Sequence, residues 1–210
     1  MKLSYLVHYG TPRHSGRYPW GSGKRPKQRL ERSKNEEIIV KASKLLSKKL
    51  KSFTYGTVVD GKIYTNLDAI PWNRYKTLTI SQMNKYKVGT CWDFVNYQHN
   101  YFKKMGIKND SFLFVKPMSE NPNDIATHTF SILEGDKWFE SRWAKHQGIN
   151  KVQSYKDVAD ILNKDFNSKY DFELYKYNPD GMIGLSSSQF FKKATSNGPI
   201  LASKTQLNKS

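Results

Sequence analysis

A thiol, an imidazole and a carboxylate are the groups in this chain whose types and order suit covalent chemistry on a carbonyl. The chain has one cysteine, Cys91. Only the thiolate attacks carbon, and a free cysteine with a pKa near ~8.5 is mostly protonated at neutral pH. Cys91 opens a run in which Phe94, Val95, Gln98, Tyr101, Phe102 and Met105 recur at helical spacing. It is therefore expected in the first turn of a helix, where unpaired N–H groups and the helix dipole favour an anion. The nucleophile needs a base, and His128 opens the strand-like run 127–133. A base needs an orienting group. Glu140, on the return strand 137–143, is the acid best placed, and Asp136 competes from the expected turn between the two strands. A lone cysteine or histidine otherwise packs as a structural residue.

The remaining histidines do not complete this set. His99 lies two helical turns beyond Cys91, too far along the same helix to act as its base. His146 is expected at the surface, and His8 and His14 stand among Arg and Gly. A single cysteine excludes an internal disulfide and a cysteine-rich zinc site. No cofactor and no metal site are read from the sequence.

The elements that must hold these groups follow from periodicity and punctuation. Ser33 with Glu36 makes a capping box ahead of Ile38, Ile39, Ala42, Leu45, Leu46, Leu50 and Phe53. Val58–Tyr64 reads as a hairpin across Asp60-Gly61, and a short helix from about Ser81 to Tyr86 has Thr79 and Gln82 as its capping pair. After the Cys91 helix, which Gly106 should stop, come strands at 111–116, 127–133 and 137–143. A helix capped by Ser154 and Asp157, a strand at 170–177 and a short helix at 186–194 complete the reading. Helices precede a mostly antiparallel sheet without βαβ alternation, which is the α+β class.

Charge divides the chain. Its 210 residues carry 35 Lys/Arg against 18 Asp/Glu, and residues 1–51 hold 14 of the bases but only three of the acids. The expected organisation is an extended basic arm over 1–32, a leading helix and hairpin over 33–77, a core over 78–195 and a tail over 196–210. Glycines and prolines between His8 and Gly23 forbid a regular helix there, while Tyr18 and Trp20 offer flat docking surfaces. Arg13, Arg17, Tyr18, Trp20, Lys24 and Arg25 are the candidate partner-contact residues. Such an arm suits a polyanion or acidic partner, with nucleic acid held non-specifically through phosphate contacts, or serves as a solvated tail. No helix-turn-helix, zinc-finger or RNP signature is present.

Three segments together resemble a known group: Lys87-Val88-Gly89-Thr90-Cys91-Trp92-Asp93-Phe94-Val95, Thr127-His128-Thr129-Phe130, and Lys137-Trp138-Phe139-Glu140. They are similar to the transglutaminase-like branch of the papain-like cysteine enzymes, particularly to versions found in bacteriophages of Gram-positive bacteria. The likeness covers about 78–193. It implies Cys91 at the start of a helix packed on a sheet, His128 on the next strand and an acid on the strand after. The family acid is usually Asp and stands further from the histidine, whereas this chain has Glu140. Gln82 and the Cys91 backbone N–H are candidates for the oxyanion, and Trp92 and Trp138 for the pocket lining. A second resemblance, from His8-Tyr9-Gly10-Thr11-Pro12 through Arg17-Tyr18-Pro19-Trp20-Gly21-Ser22-Gly23, is to a leader motif of phage head-associated proteins.

The expected function is thiol-dependent hydrolysis or acyl transfer on protein or peptide amides, as a peptidase, deamidase or transglutaminase-like enzyme. The competing expectation is a non-catalytic virion structural or cargo protein that uses the same fold as a scaffold. The resemblances imply a protein or peptide substrate, capsid or portal proteins as partners, and location in the virion or host cytoplasm. No apolar run approaches the ~20 residues that span a bilayer, and the first residues lack a signal-peptide core.

Overall fold

The computed structural model of the chain describes residues 26–121, 124–141 and 144–203, the first nine of these (26–34) and residue 144 by backbone alone. The chain divides into two units, 1–41 and 42–210. The described part of the first is the N-terminal portion of helix α1, Pro26–Leu50. That helix begins ahead of the Ser33 capping box, which lies within it. Pro26 suits a first helical position, because its fixed φ is helical and its missing N–H would have no partner there. The expected contact residues of the arm, Arg13, Arg17, Tyr18, Trp20, Lys24 and Arg25, lie outside the described residues.

The second unit is mixed α+β, built on a six-stranded antiparallel sheet. Its order is β10 (Leu201–Ala202), β9 (Glu173–Tyr177), β5 (Asn109–Pro117), β6 (Ile125–Leu133), β7 (Lys137–Glu140) and β8 (Gly148–Lys151). β5 is central and buried on both faces, which is why Phe112-Leu113-Phe114-Val115 is a continuous apolar run rather than an alternating one. On one face Leu113, Val115, Tyr175 and Tyr177 pack with α3 (Cys91–Lys104) and α5 (Ser187–Ala194), through Trp92, Val95 and Phe190. On the other, Phe112, Phe114, Phe130, Ile132 and Trp138 pack against Val158, Ala159 and Leu162 of α4 (Tyr155–Phe166).

Several local expectations hold. Asp60 and Gly61 both take positive φ, 49° and 79°, between β2 (Thr57–Val59) and β3 (Lys62–Tyr64), as a type I′ turn needs. α2 (Ile80–Tyr86) carries the reciprocal Thr79–Gln82 capping box, and α4 the Ser154–Asp157 one. Other elements were not anticipated. β8 covers one edge of the sheet. The segment read as a tail from residue 196 supplies β10 at the other edge. A two-residue parallel pair, β1 (Thr54–Tyr55) with β4 (Val88–Gly89), lies just ahead of α3. No helix among the described residues is long and apolar enough to cross a membrane.

Candidate active site

Cys91 is the first residue of α3, as its spacing implied. A buried carboxylate fixes the helix start. Asp93, fully buried, accepts from the Thr90 backbone N–H at 2.8 Å, the Thr90 hydroxyl at 2.9 Å and the Leu78 N–H at 2.7 Å. The Tyr75 hydroxyl donates to the same carboxylate at 3.1 Å. Burial raises Asp93 to about 6, against the pull of these donors. The Thr90-x-x-Asp93 pattern is a capping signal legible in the sequence.

His128 stands on β6 and Glu140 ends β7. The ladder pairs Ile132 with Trp138, so the even-numbered residues of both strands share one face, His128 and Glu140 among them. Nε2 of His128 lies 2.9 Å from Oε2 of Glu140, and both residues are buried. A carboxylate only accepts, so Nε2 carries the proton of this bond and Nδ1 is the nitrogen left for Cys91. The second oxygen, Oε1, accepts the Ser141 N–H at 2.8 Å, which fixes the carboxylate plane. Asp136, the competing acid, lies in the turn before β7 and pairs with Lys137 at 2.5 Å.

The electrostatics of the two reactive groups are opposed and complementary. Burial disfavours the Cys91 thiolate. The hydrogen bond and charge of His128, the Tyr55 hydroxyl and the Thr129 backbone N–H outweigh it, and the thiol lies below its ordinary value of 9.0. Burial likewise pushes the His128 imidazolium down, but the Glu140 carboxylate and the Cys91 sulfur carry it up to about 10. The balance favours a thiolate–imidazolium pair.

Cys91 opens onto a cavity of about 270 Å³ whose walls include Leu67, Trp72, Trp92, Ile125 and Phe166, and among the described residues that line it none but Cys91 carries a side-chain charge. Trp92 lines it, stacked on Phe190 at 4.3 Å between ring centroids. Trp138 does not. It shares the sheet face of His128 and Glu140 but is fully buried among Phe130 and the α4 residues, away from the cavity. Gln82 is also misplaced as an oxyanion donor. Its side chain is exposed, and its Oε1 accepts the Thr79 N–H at 2.9 Å, so local capping holds it.

Tyr55 is the residue the sequence did not disclose. Its hydroxyl accepts the Cys91 backbone N–H at 3.1 Å, and its side chain lines the cavity beside the thiol. The other described histidines are engaged elsewhere, His99 with Asn109 at 2.7 Å and His146 with Asp165 at 3.0 Å, while His8 and His14 lie outside the described residues. Among the described residues, no group of three or more His, Cys, Asp and Glu is gathered to hold a metal ion.

Compared with protein-family models, curated proteins and solved structures, the chain matches none of them.

Proposed function

We propose that this protein is a cysteine acyl hydrolase or acyltransferase acting on peptide amides, with Cys91 as nucleophile, His128 as base and acid, and Glu140 as the orienting carboxylate. The observation that carries the reading is His128 itself, a buried imidazole bridging a buried thiol and a buried carboxylate. The Cys–His–acid order along the chain, with the cysteine at a helix start and the other two on adjacent strands, supports a papain-like, transglutaminase-like architecture. The N-terminal motif supports a phage-encoded, virion-associated setting.

The chemistry balances with these groups alone. The Cys91 thiolate adds to the carbonyl carbon, and the charge moves to the carbonyl oxygen. The C–N bond then breaks as the His128 imidazolium gives its Nδ1 proton to the leaving amine, which leaves a thioester on Cys91. Water or an amine attacks the thioester, His128 accepts its proton, and the thiolate leaves. The imidazolium is stabilised throughout by Glu140. The aromatic and aliphatic side chains that the described residues give the cavity wall suit a substrate with an apolar side chain next to the reacting carbonyl.

The test is iodoacetamide labelling at graded pH, joined to intact-mass detection of an acyl adduct from a 4-nitrophenyl ester of N-acetylphenylalanine. Labelling should persist well below pH 8 and shift upward in His128→Ala, and the adduct should vanish in Cys91→Ala. A midpoint at or above pH ~8.5, that of an ordinary free thiol, unchanged in His128→Ala, overturns the reading.

A further inference from the structure

Tyr55 reaches the helix start through the parallel pair β1–β4. Tyr55 stands opposite Gly89, and the Thr54 and Gly56 N–H groups donate to the carbonyls of Lys87 at 2.7 Å and Gly89 at 3.0 Å. The chain must leave this strand at once. Gly56 has φ 157°, and a Cβ there would stand 2.2 Å from the Tyr64 carbonyl oxygen. The Tyr55 ring stacks on Phe94, one turn along the same helix, at 6.4 Å between centroids and 29° between planes. Backbone pairing and ring stacking therefore aim one hydroxyl at the first residue of α3.

That hydroxyl has two hydrogen-bonding capacities. It accepts the Cys91 backbone N–H, and its own proton remains to be donated. The acceptor is the Cys91 sulfur, with which the Tyr55 side chain also hydrogen-bonds. One phenol thus touches both the nucleophile and the N–H that an oxyanion would use.

Resting on the thiol reading above, we propose that Tyr55 is a catalytic residue, a hydrogen-bond donor held on the Cys91 sulfur at rest and passed to the carbonyl oxygen as the tetrahedral intermediate forms. As the C–S bond forms, the sulfur loses its negative charge and becomes a poor acceptor. The charge then sits on an oxygen bound to the carbon that the sulfur has just attacked, within reach of the same hydroxyl. The Cys91 N–H is released from the phenol at the same moment and supplies the second donor. No proton leaves Tyr55 at any step. Burial first, and then the negative charges of Cys91 and Asp93, hold its pKa well above 10.0, so it donates a hydrogen bond without ionising.

The experiment compares wild type, Tyr55→Phe and His128→Ala in the full chain, with the N-acetylphenylalanine 4-nitrophenyl ester as probe. Tyr55→Phe keeps the ring on Phe94 and removes only the hydroxyl. Its kcat should fall about 10²-fold with KM little changed, the effect of removing one oxyanion donor. Its Cys91 alkylation midpoint should rise, while staying below that of His128→Ala. The groups that face Cys91 in this titration are Tyr55, Asp93 on its own helix, His128 with Glu140 behind it, Tyr75 and Tyr177. A peptide aldehyde, which forms a tetrahedral hemithioacetal, should lose affinity in parallel with kcat. 3-Fluorotyrosine installed at position 55 keeps the hydroxyl and should restore turnover.

Unchanged kcat and midpoint in Tyr55→Phe, with His128→Ala inactive, would overturn the Tyr55 role and leave the thiol reading standing. A faster Tyr55→Phe enzyme would also overturn it, because the phenol would then be an obstruction. A wild-type thiol with an ordinary titration would overturn the underlying reading instead.

Discussion

The carboxylate of Glu140 holds His128 and the backbone at once, with Oε2 on His128 at 2.9 Å and Oε1 on the Ser141 backbone N–H at 2.8 Å. The backbone bond fixes the plane of the carboxylate, and the carboxylate fixes the imidazole. A glutamate reaches one methylene further than an aspartate. At the end of a tight hairpin that length brings the acid to a histidine only 12 residues earlier in the chain.

Glu140→Gln tests this arrangement. The amide oxygen can still accept from Ser141, which turns the NH₂ toward His128. An NH₂ cannot accept, so Nε2 must give up its proton and Nδ1 becomes the protonated nitrogen, the wrong tautomer for a base facing Cys91. Esterase kcat should fall by ~10² or more, with unfolding temperature changed far less. Glu140→Asp, one methylene short, should be intermediate. Equal turnover in all three proteins would remove Glu140 from the mechanism.

The pH dependence follows from opposed shifts. The thiol is depressed below 9.0, and the imidazolium is raised to about 10. Turnover should therefore hold a plateau that opens below the thiol's ordinary value and closes on the alkaline limb, where His128 loses the proton it must give to the leaving group, while alkylation, which needs only the thiolate, should not fall on that limb. The stability sign for His128 is fixed by the upward shift. Its contribution is fully present below the unfolded value of 6.5 and is lost as pH rises through about 10. Denaturant midpoints across this interval should fall more steeply in wild type than in His128→Ala.

What the sequence disclosed and what it hid separate along the range of the interactions. The Asp60-Gly61 turn, the Thr79 and Ser154 caps and the α3 start at Cys91 depend on contacts within a few residues, so composition and spacing reveal them. Placing Glu140 beside His128 required a hairpin and the register that puts both residues on one face, and of these only the hairpin was legible in the sequence. Tyr55 was hidden because its strand has two residues and no periodicity, and its role depends on a parallel pairing with Val88 and Gly89. Gln82 misled because a glutamine at a capping position is held by its own helix. Trp138 misled because sharing a sheet face with His128 and Glu140 does not bring a residue to the cavity, and it packs into the α4 core instead. The start of α1 was missed because its first turns lack an apolar stripe, and Lys, Arg and Gln still favour a helix without one.

Asp93 couples the thiol's helix to the segment before α2. Asp93→Asn would leave at least one of the buried Leu78 and Thr90 N–H donors poorly matched, at a cost of about 2–3 kcal/mol. The wild-type carboxylate also has a pH signature. Its folded value of about 6 exceeds the unfolded 3.8, so its contribution is fully present below 3.8 and is lost as pH rises through about 6. Wild-type stability should therefore carry a downward slope over that interval that Asp93→Asn lacks. A variant as stable as wild type and with the same slope would show that the helix start does not depend on this carboxylate.

The edge strand β10 gives the last prediction. Residues 200–203 bind the end of the sheet by four hydrogen bonds beyond the ladder itself. Ile200 N–H donates to Leu174 at 2.8 Å, Ser203 N–H to Phe172 at 3.1 Å, and the Ser203 hydroxyl accepts the Phe172 N–H at 2.9 Å and donates to the Asp171 carboxylate at 3.0 Å. Leu201 also packs against the cluster that holds Phe172 and Leu174. At about 1 kcal/mol for each hydrogen bond, losing these four contributes about 4 kcal/mol, and the lost cover over Leu174 adds to it. A chain ended after Ser203 keeps all of these bonds, whereas one ended after Gly198 loses them and exposes the edge of β9. For a domain of this size 1 kcal/mol corresponds to about 2–4 °C, so the shorter chain should melt several degrees below the longer one. Turnover per folded molecule should be the same in both, since Cys91, His128 and Glu140 lie on α3, β6 and β7. Equal melting temperatures would show that β10 adds nothing to the sheet, and a selective loss of turnover in the shorter chain would show that this edge reaches the site.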